Sequence, residues 1–199
     1  MLMNAAERQL AFDVKRAIVL GTYIDHWGFP TSRAVVRAED QVLELYSFPA
    51  EEKSGGVDRI ATVGVSDAFD QGAGKSGIEL VLPWHAHPER TVGEDLIPVV
   101  EDAATRIYRE RTLDQGFFLP APRRPRWLAA SMLLIDEPVD EPASLATIPF
   151  AAAHVHVLRV VPIYSPEARL IDAQGLDAFD DLLKQSGCNV LDLERRSLV

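Results

Sequence analysis

Residues 154–190, HVHVLRVVPIYSPEARLIDAQGLDAFDDLLKQSGCNV, limit the possible folds more than any other stretch. From Val155 to Tyr164 nearly every side chain is apolar or β-branched, with only His156, Arg159 and Pro162 intruding. Apolar residues fall on both alternating faces, which predicts a strand covered on both sides. Ser165-Pro166-Glu167 then predicts a helix start: a capping hydroxyl, a proline suited to the first turn, and a carboxylate at the positive end of the dipole. Leu170, Ile171, Ala178, Phe179, Leu182 and Leu183 recur at helical spacing, and Gly187 supplies the stop. A strand running straight into an amphipathic helix is a core unit, and it speaks of fold before function.

Upstream, Asn4 and Glu7 form a capping-box pattern. Ala6, Leu10, Val14, Ala17 and Ile18 are spaced as the buried stripe of a first helix ending at Gly21. After the turn Gly28-Phe29-Pro30, residues 32–37 and 42–48 read as paired strands around Glu39-Asp40. A charged loop over 49–57 leads to a short strand at 60–65, and a polar loop over 66–77 leads to a clear strand at 78–84. Residues 93–111 predict a helix with Leu96, Val100, Ala103, Ala104 and Ile107 inward and Pro98 near its start. Residues 120–126, PAPRRPR, form an extended basic loop, 128–135 a buried strand, and 136–144 an acidic, proline-broken loop. Consecutive strands without intervening helices predict an α+β fold. It is a single domain over 1–199, with a mixed or antiparallel sheet flanked by about three helices.

Lys+Arg 20 against Asp+Glu 30 gives a net charge of −10, the wrong sign for a protein that grips a phosphate backbone. The same charge suits a soluble protein or one that meets a basic partner. Cys188 is the only cysteine, so neither an internal disulfide nor a cysteine metal site is expected. Glu7 and Arg8 stand where a secretory signal would be apolar, and the longest uncharged apolar run, 127–135, is too short to span a bilayer. The expected location is the cytoplasm.

Two His-x-His pairs, His85/His87 and His154/His156, invite a metal reading, because residues two apart on a strand share a face. With Glu89 they define the alternative function, a metal-dependent enzyme or small-ligand binder. The histidine and carboxylate spacings of a cupin site are absent. Residues 71–77, QGAGKSG, imitate a phosphate loop, but Phe69 replaces its first glycine and a strand follows where a helix is needed. Gly64-Val65-Ser66-Asp67 lacks the second glycine of a nucleophile elbow, so Ser66 reads as a turn residue. Cys188 follows a helix C-terminus, which disfavours a thiolate. Trp84 and Trp127 border apolar strands and read as core or core-rim. No catalytic set, metal site or cofactor loop assembles. Asp136, Glu137, Asp140 and Glu141, in the acidic loop, are the candidate partner contact, and Arg123, Arg124 and Arg126 could answer them within the molecule. An exposed apolar face used for self-assembly is a third possibility, with the oligomeric state open.

The C-terminal unit also resembles the Suppressor of fused family. The likeness rests on Val160-Val161-Pro162-Ile163-Tyr164, Glu167, Gly175, the run from Ala178 to Leu183, and Arg195. Residues 58–67, DRIATVGVSD, resemble its Thr-hydrophobic-Gly-hydrophobic-Ser segment; Ile78-Glu79-Leu80-Val81-Leu82 resembles its Glu-Leu strand; residues 128–138 would be its penultimate strand. The likeness covers most of 40–199. It implies a binding module rather than an enzyme, with no cofactor, one that takes a partner peptide as an added strand. In its bacterial single-domain form it implies an immunity protein that neutralises a cognate polymorphic toxin, a basic toxin domain suiting the acidic surface.

Overall fold

The computed structural model describes residues 5–38, 41–50, 56–69, 76–85, 92–110, 117–138, 141–150 and 153–199. Its strands are β1 (Ser32–Ala38), β2 (Gln41–Phe48), β3 (Val57–Val63), β4 (Gly77–His85), β5 (Phe117–Pro120), β6 (Met132–Asp136), β7 (Thr147–Phe150) and β8 (Ala153–Ile163). Its helices are α1 (Ala5–Trp27), α2 (Gly93–Glu110), the one-turn α3 (Ala143–Ala146), α4 (Ser165–Gln174) and α5 (Leu176–Ser186). The strands form one sheet in the order β1-β2-β3-β4-β8-β6-β5, with β7 pairing the first part of β8. Every pairing is antiparallel except β4 with β8, where Gly77 lies opposite Val155 and Val81 opposite Arg159. The fold is the expected α+β single domain with a mixed sheet.

Alternation sorts the sheet's side chains onto two faces. Leu80, Leu82 and Trp84 of β4 and Val160 of β8 meet Leu96, Val100, Ala103, Ala104 and Ile107 of α2 on one face. On the other, Val81, Val155 and Val157 meet Val19, Tyr23 and Trp27 of α1, while Leu134, Val161 and Ile163 meet Ala168, Ile171 and Phe179 of α4 and α5. β8 is therefore covered on both sides, as its sequence requires.

Four local expectations are corrected. α1 does not stop at Gly21 but continues to Trp27. One internal glycine costs about 1 kcal/mol, whereas Tyr23 and Trp27 beyond it stack at 4.8 Å and close on Phe48. The buried stripe is also displaced: Lys15, Val19, Tyr23 and Trp27 face the sheet, and Leu10, Val14 and Ile18 face solvent, as do Ala6 and Ala17. Two cations on the inward side hide the true face, since Lys15 and Arg16 turn in to Asp67 at 3.0 and 2.8 Å. The C-terminal helix is two helices, broken at Gly175, whose φ of 87° is open to glycine and strained for other residues. Finally, the strand expected at 128–135 begins only at Met132, and β5 and β7 were not foreseen.

Candidate protein-binding surface

Two buried carboxylates organise the regions that carry the family likeness. Glu79, on β4, has no solvent exposure and accepts from the Thr62 hydroxyl at 2.7 Å, the Gly64, Val65 and Ser66 amides at 2.9, 3.3 and 3.1 Å, and the Ser66 hydroxyl at 2.7 Å. The Thr62 oxygen in turn accepts from the Leu80 amide at 2.8 Å. Val65, expected to end a strand, and residues 66–69, expected as loop, form a largely buried 3-10 turn wrapped round this carboxylate. Gly77 permits the close approach, because a Cβ there would stand 2.6 Å from the Ser66 Cβ. Burial pushes the Glu79 carboxyl above its ordinary value despite its donors. Ser66 is thus a turn residue holding a carboxylate, as its sequence context suggests.

Glu167, on α4, is equally buried. It takes a bidentate pair from Arg195 at 2.6 and 2.8 Å and the amides of Tyr164 and Leu198 at 2.9 and 3.0 Å. Arg195 also donates to the Pro162 carbonyl at 3.2 Å, and the Tyr164 hydroxyl donates to the Arg195 carbonyl. Burial alone would raise the Glu167 carboxyl, but Arg195 and the two amides outweigh it and hold it below the ordinary range. Glu167 therefore caps α4 by accepting from Tyr164. Ser165, expected as the cap, instead hydrogen-bonds Ser131 at 2.8 Å. Pro162, Tyr164, Glu167 and Arg195 form one latch that ties the chain's last residues to β8.

The acidic loop is dispersed. Asp136 ends β6 nearly buried, beside Arg159 at 3.3 Å. Glu141 anchors α1 to β3, accepting from Arg59 at 2.9 Å and from the Trp27 indole at 3.3 Å. Glu137 is exposed, and Asp140 lies outside the described residues. Asp180 of α5 is pushed up by burial and then by the charge of Asp136. The basic loop does not answer these acids: Arg123 pairs with Glu101 of α2 at 3.1 Å, and Arg124 donates to the Leu128 carbonyl at 3.1 Å.

The histidine pairs do not meet. His156 lies opposite Ile78, and His85 is seven residues further along β4, roughly 23 Å at 3.3 Å per residue. His85 hydrogen-bonds Asn189 at 2.7 Å and His156 faces Thr147 at 3.4 Å; His87, Glu89 and the glycines and lysine of 71–75 lie outside the described residues. Among the described residues no group of three or more metal-binding side chains is found, and no helix is long and apolar enough to cross a membrane. Trp84 is core and Trp127 lies half-buried at the core's rim, as expected, where it donates to Asp95 at 2.9 Å.

Sequence reasoning missed β5, whose outer edge has no strand beside it among the described residues. Ala121 donates to the Ser131 carbonyl on the β6 side, so by alternation Phe117 and Leu119 point their backbone groups at β6, while Phe118 and Pro120 point theirs away. The outer edge thus offers the Phe118 N–H and C=O and the Pro120 C=O, and proline is tolerated there because the missing N–H faces no strand. Beside this edge a concavity of about 340 Å³ lies between Pro120 and Pro122 and the C-terminal half of α2, where Asp102, Arg106, Arg109 and Glu110 mix both charges. The opposite edge, β1, carries Arg33 and Arg37, side chains of the kind that discourage strand pairing.

A mixed sheet with α2 on one face, two buried carboxylate cages and, among the described residues, no strand beyond β5 defines a single α+β domain. Residues 39–196 match the family model for Suppressor of fused protein, and the chain belongs to that family. Similar solved structures include a Suppressor of fused homolog from Neisseria gonorrhoeae, with a TM-score of 0.72 at 14% identity over 94% of this chain and 98% of that one. The Sufu–Fu complex gives a TM-score of 0.65 at 14% identity over 92% and 91%. Drosophila Suppressor of Fused gives 0.66 at 14% identity, covering 93% of this chain and 51% of that one. At such identity the structural likeness speaks for the fold alone. Curated proteins give no match.

Proposed function

We propose that this chain is a non-enzymatic, cytoplasmic protein-binding domain that captures an extended segment of its partner along the outer edge of β5. The observation that carries the reading is the Phe118 edge, unpaired among the described residues, beside the α2 concavity, because main-chain pairing supplies affinity and an adjacent hollow supplies side-chain selection. A fold shared with the Sufu–Fu complex supports it. The partner we infer is a basic toxin domain, this chain being its immunity protein. The charge of −10 supports that choice. So does Glu137, exposed just past Ile135, which pairs with Phe117 at the start of the edge. Asp136 and Glu141 serve the fold instead, so the acidic contact narrows to Glu137 among the described residues.

The test begins with capture from a lysate of the source organism at low and moderate salt, followed by reconstitution with the recovered protein and calorimetry. Phe118→Pro removes the outward N–H and should weaken binding about tenfold or more, while Phe118→Leu should leave it nearly intact. Equal binding by both variants rules out the edge. Co-expression that fails to rescue growth from the recovered protein rules out the immunity role while leaving binding intact.

A further inference from the structure

α1 is built inside out. Its cations Lys15 and Arg16 turn in to Asp67 at 3.0 and 2.8 Å, while Leu10, Val14 and Ile18 on the outward side are 64%, 45% and 39% exposed. Single apolar side chains on a surface need no explanation, but a contiguous apolar stripe marks a contact. None of these three belongs to the clusters that build the core.

The order of sizes along the stripe says what covers it. Leu10, Val14, Ala17 and Gly21 follow one another at steps of four, three and four residues, the average of 3.5 that keeps one helix seam against another. These steps read alike in both directions. Set two such helices antiparallel about a two-fold axis between Lys15 and Arg16, and Leu10 of each copy falls opposite Gly21 of the other, and Val14 opposite Ala17. Every large side chain then meets a small one, as interdigitating layers require. Gly21 is otherwise unexplained. Glycine weakens a helix interior, and a Cβ at Gly21 would meet no atom within 4 Å, so nothing inside one copy asks for it.

We propose that the outward face of α1 docks a second copy of this chain in an antiparallel, two-fold dimer. With 23 residues, α1 offers a face roughly 34 Å long and 12 Å wide, about 400 Å² on each copy. Two such faces hide on the order of 800–1,000 Å², short of the roughly 1,200 Å² at which stable interfaces begin, so the dimer is a weak and reversible one. An anionic membrane is a poorer occupant, because it repels a chain of charge −10. α1 and α2 cover opposite faces of the sheet, so this contact stands whether or not β5 accepts a strand.

Sedimentation equilibrium on the full chain, from about 2 to 200 μM, should show a dimer with a Kd of roughly 10–100 μM. Raising salt from about 50 to 500 mM should tighten it about two- to threefold by screening the like charges of the two copies, the reverse of what a basic partner would show. Leu10→Glu and Gly21→Leu should each weaken the dimer at least about tenfold. Both side chains point away from the core, and Gly21→Leu should even raise the thermal midpoint of the single copy by about 2–4 °C. Register is read by disulfide formation in a Cys188→Ser background. A mixture of Leu10→Cys and Gly21→Cys proteins should cross-link, and neither alone should, because like positions stand roughly 16 Å apart along the axis. A monomer at every concentration, normal dimerisation by either bulky variant, or cross-linking by one protein alone as readily as by the mixture would overturn the proposal. A monomer that sediments with phosphatidylcholine vesicles would overturn it too and give the face to lipid.

Discussion

Glu79 and Glu167 are both fully buried and both saturated with hydrogen bonds, yet their carboxyls move in opposite directions. Around Glu79 every donor is neutral: amides and hydroxyls from one β-turn-β segment. Around Glu167 a guanidinium supplies two of the donors. Neutral donors orient a carboxylate but do not cancel its charge, so burial prevails at Glu79. A buried cation cancels it, so pairing prevails at Glu167. The two cages also reach differently. The first secures a local turn, the second joins the end of β8 to the tail.

The strongest way to break the contrast is Arg195→Ala, which strands Glu167 without its cation and should lower stability by about 3–5 kcal/mol in urea unfolding. Joint replacement Glu167→Leu with Arg195→Met should lose much less than that single change; an equal loss would mean the latch matters for its shape rather than its charges. Next comes Glu79→Gln. Its amide nitrogen would face two donors, and the expected loss is about 2–3 kcal/mol. Ser66→Ala removes one hydroxyl from that cage and should lower stability by about 1 kcal/mol.

The smallest effect sharpens the contrast through pH. Glu167, held below the ordinary value of 4.5, contributes stability that is complete above that value and lost as pH falls through its folded pKa. Glu79, raised above 4.5, behaves oppositely: the fold takes up the proton before the unfolded chain does, so its contribution grows as pH falls toward 4.5. Unfolding free energy measured from pH 7 to pH 3 should therefore fall less steeply in Glu167→Gln and more steeply in Glu79→Gln than in the parent. Parallel curves would contradict the assigned directions.

Much of the fold is legible in the sequence where periodicity and burial agree. α2 ends within one residue of its expected bound, and β8 shows the two-sided apolar pattern that its place between β4 and β6 demands. Pattern misleads where charge is buried. Leu10, Val14 and Ile18 outrank Lys15 and Arg16 on any apolar count, yet the cations face inward because Asp67 waits there. β5 escapes notice because four residues ending in proline carry no alternation worth reading. With it goes the candidate edge, which is a property of backbone pairing and not of side chains. The acidic loop illustrates the remaining limit. Adjacent in sequence, its members point to Arg159, to Arg59 and Trp27, and to solvent, and no composition count separates those fates.

The parallel join of β4 to β8 has a kinetic consequence. Gly77 must find Val155 across about two fifths of the chain, whereas β1 to β4 pair as a simple meander of neighbours. Closure of so long a loop is slow, and until it happens β4 presents an open edge bearing the apolar run Leu80, Val81 and Leu82. Pulse-labelled hydrogen exchange should find the meander protected first. Through that interval the nascent domain has a sticky flank, and its yield depends on β8 arriving before another copy does.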